Sequence, residues 1–80
     1  MDQKKYRQLI ALRTEFLAAQ ERAKMLSDEF VTATVADVQH LNQQGRNERY
    51  ALLKNLEAQI KTVIEEADRL KAEMLEIFED

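Results

Sequence analysis

The sequence predicts an all-α fold, an antiparallel two-helix hairpin with coiled-coil-like packing. Apolar residues recur at alternating spacings of three and four in both halves of the chain. Helix breakers are scarce, since Gly45 is the only glycine among 80 residues and proline is absent. Charged residues make up 34% and hydrophobic residues 45%, a balance typical of coiled coils and long helices. A chain of this length, residues 1–80, is expected to form one domain.

The clearest helical pattern lies in the second half of the chain. An unbroken 3-4 repeat there matches the a and d positions of a coiled-coil seam. Asn47 is a cap-type residue before this run, so the second helix is predicted over about 47–78. The seam positions are Leu53, Leu56, Ile60, Val63, Ala67, Leu70, Met74 and Ile77.

The first half has the same rhythm over a longer stretch, which predicts a helix over about 3–43. A kink is an open alternative near Ser27 and Asp28, because cap-type residues there precede a β-branched run. A second apolar stripe beside the seam makes this face wider than one neighbour requires. The seam positions are Leu9, Leu12, Phe16, Ala19, Ala23, Leu26, Phe30 and Ala33.

The turn is predicted over about 42–46, with Gly45 as the left-handed residue that ends the first helix. With Gly45 at the apex, facing residues should have numbers that sum to about ninety, and apolar positions then meet along the whole length. The basic start of the first helix also falls beside the acidic end of the second. Each cluster is misplaced for its own helix dipole, so their proximity favours the antiparallel arrangement.

Apolar residues beyond the seam predict that the hairpin has a partner. Two helices bury only one stripe each, so a second stripe fits dimerisation of the hairpin into a four-helix bundle. The expected partners are a second copy of the chain, another helical protein, or both. The predicted interface residues are Ile10, Leu17, Val31, Val38, Leu52, Ile64, Leu75 and Phe78.

The overall charge and the lack of cysteine narrow the function classes. A net charge of −3 and a pI near 5.2 argue against sequence-independent nucleic-acid binding, which needs a basic surface. The chain has no cysteine, which is compatible with a reducing compartment. The sequence has no apolar run of membrane-spanning length and no signal peptide pattern. We therefore expect a cytoplasmic protein that does not bind membranes.

Residues with catalytic or ligand-binding chemistry are few. Asp37 and His40 lie one helical turn apart, but a metal site needs three or four ligands. Ser27 and His40 are too far apart along one helix to act together. The sequence has no phosphate-binding motif. We expect no enzyme activity, no catalytic residue, no cofactor, no metal and no small-molecule substrate.

The predicted function is therefore that of a protein–protein interaction module. A small adaptor, assembly factor or co-chaperone could act by burying an amphipathic helix of its partner. One alternative is a nucleic-acid-associated regulator, a dimeric bundle that presents Arg46, Arg49 and Lys54. Another is an inhibitor, encoded by a phage or plasmid, that blocks a host protein.

Overall fold

Two long helices run antiparallel and are joined by a short turn. In the computed structural model, which describes residues 1–79, helix α1 spans Gln3–Val35 and helix α2 spans Gln43–Phe78. A short 3-10 helix, Val38–His40, lies between them. Residues 1–79 contain no strand. The result is a rod with extents of 61 × 14 × 12 Å, and the predicted helical hairpin is confirmed.

The core is a single seam between the two helices. Every predicted seam position is buried or half-buried. Leu12, Ala19, Val63, Leu70 and Ile77 form one buried cluster, of which Ala19 and Leu70 are fully enclosed. The alternating 3-4 spacing keeps these side chains on the stripe of each helix that faces the other.

Helix α1 is continuous through Ser27 and Asp28, so it does not end and restart there. It ends at Val35, however, and the prediction that it extends to about residue 43 is wrong. The end falls in the β-branched run from Val31 to Val35, where side chains lose rotamer freedom in a helix.

Asp37, not Gly45, takes the left-handed conformation in the turn, with φ 57°. Aspartate tolerates this region better than most residues because its short polar side chain can bond locally. The reversal therefore occupies residues 36–42, and the predicted turn at about 42–46 is wrong.

Gly45 lies inside the first turn of α2, which starts at Gln43 rather than at Asn47. The N-cap is Asn42, whose side-chain oxygen accepts a 2.8 Å hydrogen bond from the Gly45 amide. A Cβ on Gly45 would lie 3.1 Å from Leu41 Cδ2, so glycine gives room for Leu41 to fold over the helix start. The predicted roles of Gly45 as a C′ residue and Asn47 as a cap are wrong, because Asn42 satisfies the first amides.

The earlier turn changes which residues face each other. The Arg49 guanidinium donates to the carbonyl of Ala33, and Lys5 and Ile77 line the same groove at the open end of the rod. With the Arg22–Glu66 ion pair, these contacts join residues whose numbers sum to between about 82 and 88, so the facing numbers are lower than the predicted ninety by less than about one heptad. Apolar residues still meet, because seam positions recur every three or four residues along both helices.

Substitutions in the turn distinguish the roles of Asp37 and Gly45. We expect Asp37→Gly to raise the free energy of unfolding by about 0.5–1 kcal/mol, and Asp37→Val to lower it by about 1–2 kcal/mol, because of the left-handed backbone. Gly45→Ala should change it by less than about 1 kcal/mol, since better helix propensity offsets the contact with Leu41. Urea unfolding at one fixed protein concentration measures all three. A large fall in the free energy of unfolding for Gly45→Ala, together with no change for Asp37→Val, would contradict these roles.

Candidate functional site

The exposed apolar residues of the rod lie mainly on one long side. A residue that directly follows a seam position projects to one side of the hairpin, and a residue that precedes one projects to the other. In an antiparallel pair the two helices share these sides. Eight exposed apolar residues follow a seam position, if the half-buried Lys5 and Arg49 are counted as continuing the seam. They are Tyr6, Ile10, Leu17, Val31, Tyr50, Ile64, Leu75 and Phe78.

Val38 belongs to the same side, although it lies in the turn. It lines a groove of about 190 Å³ together with Thr34, Tyr50 and Arg49, at the end of the rod where the chain reverses. We call this long side of the rod, which has nine exposed large apolar residues (the eight above and Val38), the apolar side.

The structure brings together seven of the eight predicted interface residues, and all eight are exposed. Leu52 is the exception in position: it precedes the seam residue Leu53 and therefore projects to the opposite side. Sequence reasoning missed Tyr6 and Tyr50, which are 56% and 64% exposed. The signal was available, because both follow positions that continue the 3-4 repeat. Whether a partner covers these residues remains a prediction.

The opposite side is acidic. Among residues 1–79, the charged residues that precede a seam position are six anions and three cations. Arg22 crosses the seam there to Glu66, with 2.7 Å between the guanidinium nitrogen and the carboxylate oxygen. The anions are Glu15, Glu29, Glu48, Glu66, Glu73 and Glu76, and the cations are Lys4, Arg22 and Arg69.

This acidic side also has an open groove of about 510 Å³ near the middle of the rod. Met25, Leu26, Ala58 and Val63 form its apolar floor, and Glu29 and Arg22 lie at its rim. Since the groove is open along the rod, it does not enclose a ligand as a small-molecule pocket would.

Arg49 holds the turn to the end of α1. Its Nη1 donates to the carbonyl oxygens of Ala33, at 2.7 Å, and Ala36, at 2.6 Å. These acceptors lie in and next to the last turn of the helix, where carbonyls lack an intrahelical partner and a cation is favoured by the helix dipole. The side chain is half-buried and committed to this bond pair.

The other two residues of the predicted nucleic-acid contact are also bonded within the chain. Arg46 donates to the Leu41 carbonyl and to the Gln43 side chain. Lys54 pairs with Glu57 at 3.0 Å, and this hydrogen bond, followed by the carboxylate charge, raises the pKa of Lys54 above its ordinary value. The structure therefore gives Arg46, Arg49 and Lys54 local partners, and it does not gather them into a free basic patch.

Other chemistry is sparse over residues 1–79. His40 and Asp37 lie in the turn, where the His40 amide donates to the Asp37 carbonyl at 3.1 Å. No group of three or more histidine, aspartate or glutamate side chains in this range could hold a metal ion. Neither helix, over the same residues, contains a segment long and apolar enough to cross a bilayer.

Comparison with known proteins gives no relative. No protein-family model, no curated protein and no solved structure matches the chain. The two sides of the rod are therefore the basis for any functional argument.

The role of Arg49 is testable through stability. Arg49→Met keeps the aliphatic stem but removes two charge-assisted hydrogen bonds, so we expect the free energy of unfolding to fall by about 1.5–3 kcal/mol. Arg46→Met is the matched control, because Arg46 is exposed, and it should cost less than about 1 kcal/mol. Urea denaturation followed by circular dichroism measures both. Equal falls in the free energy of unfolding for Arg49→Met and Arg46→Met would mean that Arg49 does not hold the turn.

Proposed function

We propose that this chain is a non-enzymatic protein–protein interaction module that acts by packing its apolar side against other helices. The observation that supports it is the unequal distribution of exposed apolar residues. Of the large ones, the apolar side has nine, whereas Met25 and Leu52 are the two on the acidic side within residues 1–79. Exposed large apolar residues concentrated on one side of a molecule are characteristic of interaction surfaces.

The size of the surface agrees with the proposal. One long side of a rod measuring 61 × 14 × 12 Å amounts to roughly 850 Å², close to what each partner contributes to a standard interface. The hairpin also buries little on its own, because each helix has one neighbour and, within residues 1–79, Leu70 is the only large side chain that is fully enclosed. A second layer of helices would add the burial that a chain of this size lacks.

The helices that cover the apolar side come from a second copy, from another helical protein, or from both in turn. A second copy would give a four-helix bundle, and a different partner would give an adaptor, assembly factor or co-chaperone of the helix-in-groove kind. The proposal sets the module in the cytoplasm, where a chain without cysteine is suited to a reducing environment. Nucleic-acid binding is the weaker reading, because Arg49 would have to leave two carbonyls to meet a phosphate.

A pair of substitutions on opposite sides tests the proposal. Ile64 and Leu52 are 48% and 42% exposed, so an aspartate at either position should leave the hairpin helical. Ile64→Asp should abolish association, because it places a charge in the centre of the apolar side. Leu52→Asp should leave association intact. The readouts are sedimentation velocity for self-association and co-purification with tagged chain for other partners, with far-UV circular dichroism as the folding check.

The proposal fails if Ile64→Asp leaves every assembly of the chain unchanged while Leu52→Asp disrupts it. In that case the working surface is the acidic side.

A further inference from the structure

The charges on the apolar side indicate which kind of helix covers it. We infer that the apolar side binds an acidic amphipathic helix of another protein, one whose apolar stripe is flanked by aspartate and glutamate. The inference rests on the proposed function and deepens it, because it names the chemistry of the partner. It follows from which charged residues on this side already have a partner within the chain.

The apolar side is basic. Within residues 1–79, the charged residues that follow a seam position are five cations and two anions, an excess of three positive charges. The cations are Arg13, Lys24, Lys54, Lys61 and Lys71, and the anions are Glu57 and Asp68. A partner that matches this side therefore needs negative charge as well as apolar residues.

Both anions of the apolar side already have a cation on the same side. The Lys54 ammonium donates to the Glu57 carboxylate at 3.0 Å. The Lys71 ammonium lies 3.3 Å from the Asp68 carboxylate, also within one turn of α2. Each pair is neutral as a whole, so the excess positive charge belongs to the remaining cations.

The remaining cations, Arg13, Lys24 and Lys61, are exposed, and none of them has a salt bridge within residues 1–79. They lie among the apolar residues rather than beyond them. Arg13 lies one helical turn from Leu17, and Lys61 lies one turn from Ile64. A helix packed on these apolar residues brings its own flanking residues beside the cations. Aspartate or glutamate there would form ion pairs that the chain itself does not make.

A second copy does not supply this charge through its own apolar side, which has the same positive excess. Two such sides in contact repel each other. The acidic side of a second copy has the right charge, but Met25 and Leu52 are its two exposed large apolar residues within residues 1–79. The apolar side would then lie against a mainly polar surface. An acidic helix with an apolar stripe of its own matches both the charge and the apolar area.

An anionic bilayer also combines negative charge with apolar groups, but it fits this side less well. Its charged headgroups lie outside the hydrocarbon region, so cations need to lie at the margin of the inserted surface. Arg13 lies between Ile10 and Leu17 on α1, where insertion of both apolar residues would carry it into hydrocarbon. A helix can place a carboxylate beside such a cation.

Two synthetic peptides test the inference. Both are amphipathic helices of about four heptads with leucine at a and d, and they differ only in having glutamate or lysine at e and g. Like charges keep each peptide from pairing with itself. We expect the glutamate peptide to bind the chain about tenfold more tightly than the lysine peptide at low salt. The difference should shrink at about 0.5 M salt, where charges are screened. Fluorescence anisotropy of labelled peptides measures both affinities.

Neutral variants identify the charges that select the peptide. The test variant combines Arg13→Gln, Lys24→Gln and Lys61→Gln. It should bring the two peptides to within about threefold of each other in affinity, because the unpaired cations are gone. The control combines Lys4→Gln, Arg22→Gln and Arg69→Gln, which removes the three cations of the acidic side and changes the net charge equally. The control should keep the preference for glutamate.

The location of the bound peptide is checked with the substitutions on opposite sides. Ile64→Asp should abolish binding of the glutamate peptide, and Leu52→Asp should leave it unchanged. Far-UV circular dichroism checks that every variant stays helical. If a glutamine variant loses helix, the salt dependence of the wild-type chain decides instead.

Every other outcome overturns the inference. Equal or tighter binding of the lysine peptide means that charge does not select the partner. A preference that disappears in the control variant, and not in the test variant, means that the acidic side binds the peptide. If neither peptide binds, the inference fails, and the proposed function is judged separately by Ile64→Asp and Leu52→Asp in co-purification.

Two further outcomes name a different occupant. If the chain forms a dimer that Ile64→Asp abolishes and the glutamate peptide does not displace, a second copy covers the apolar side. The proposed function then stands while this inference fails. If the chain binds vesicles of phosphatidylserine and phosphatidylcholine but neither peptide, and Ile64→Asp abolishes that binding, a bilayer covers the apolar side and both fail.

Discussion

The whole structure depends on one apolar seam between two helices, each of which has a single neighbour. The seam buries Leu12, Ala19, Val63, Leu70 and Ile77 and leaves the flanking positions of both helices in solvent. A helix with one neighbour covers only a narrow stripe, so any apolar residue outside it must be exposed. The same constraint therefore explains the rod shape, the small core and the apolar side.

The proposed function follows from the two sides that the seam creates. Within residues 1–79, the apolar side has nine exposed large apolar residues and five cations against two anions, whereas the acidic side has six anions against three cations. The net charge of −3 for the whole chain does not show this difference between the two sides. The exposed apolar residues supply the area for association.

The turn sets the register, and periodicity alone does not. An apex at Gly45 predicts apolar-to-apolar pairing, and the observed reversal at 36–42 gives it as well, because seam positions recur every three or four residues along both helices. What selects the register is the left-handed Asp37, the Asn42 cap and the Arg49 bonds to Ala33 and Ala36. Of these, the cap has a sequence signal: Asn42 follows the apolar Leu41 and precedes Gly45 by three residues.

From the sequence alone, the repeat of apolar residues determined the two helices, the seam and seven residues of the apolar side, since spacing on a helix dictates which side chains share a face. Tertiary structure decided where the chain reverses and which cations are bonded. These depend on contacts between residues far apart in the chain, such as Arg22 with Glu66 and Arg49 with Ala33. A local pattern cannot encode them, because a seven-residue repeat looks the same in every register.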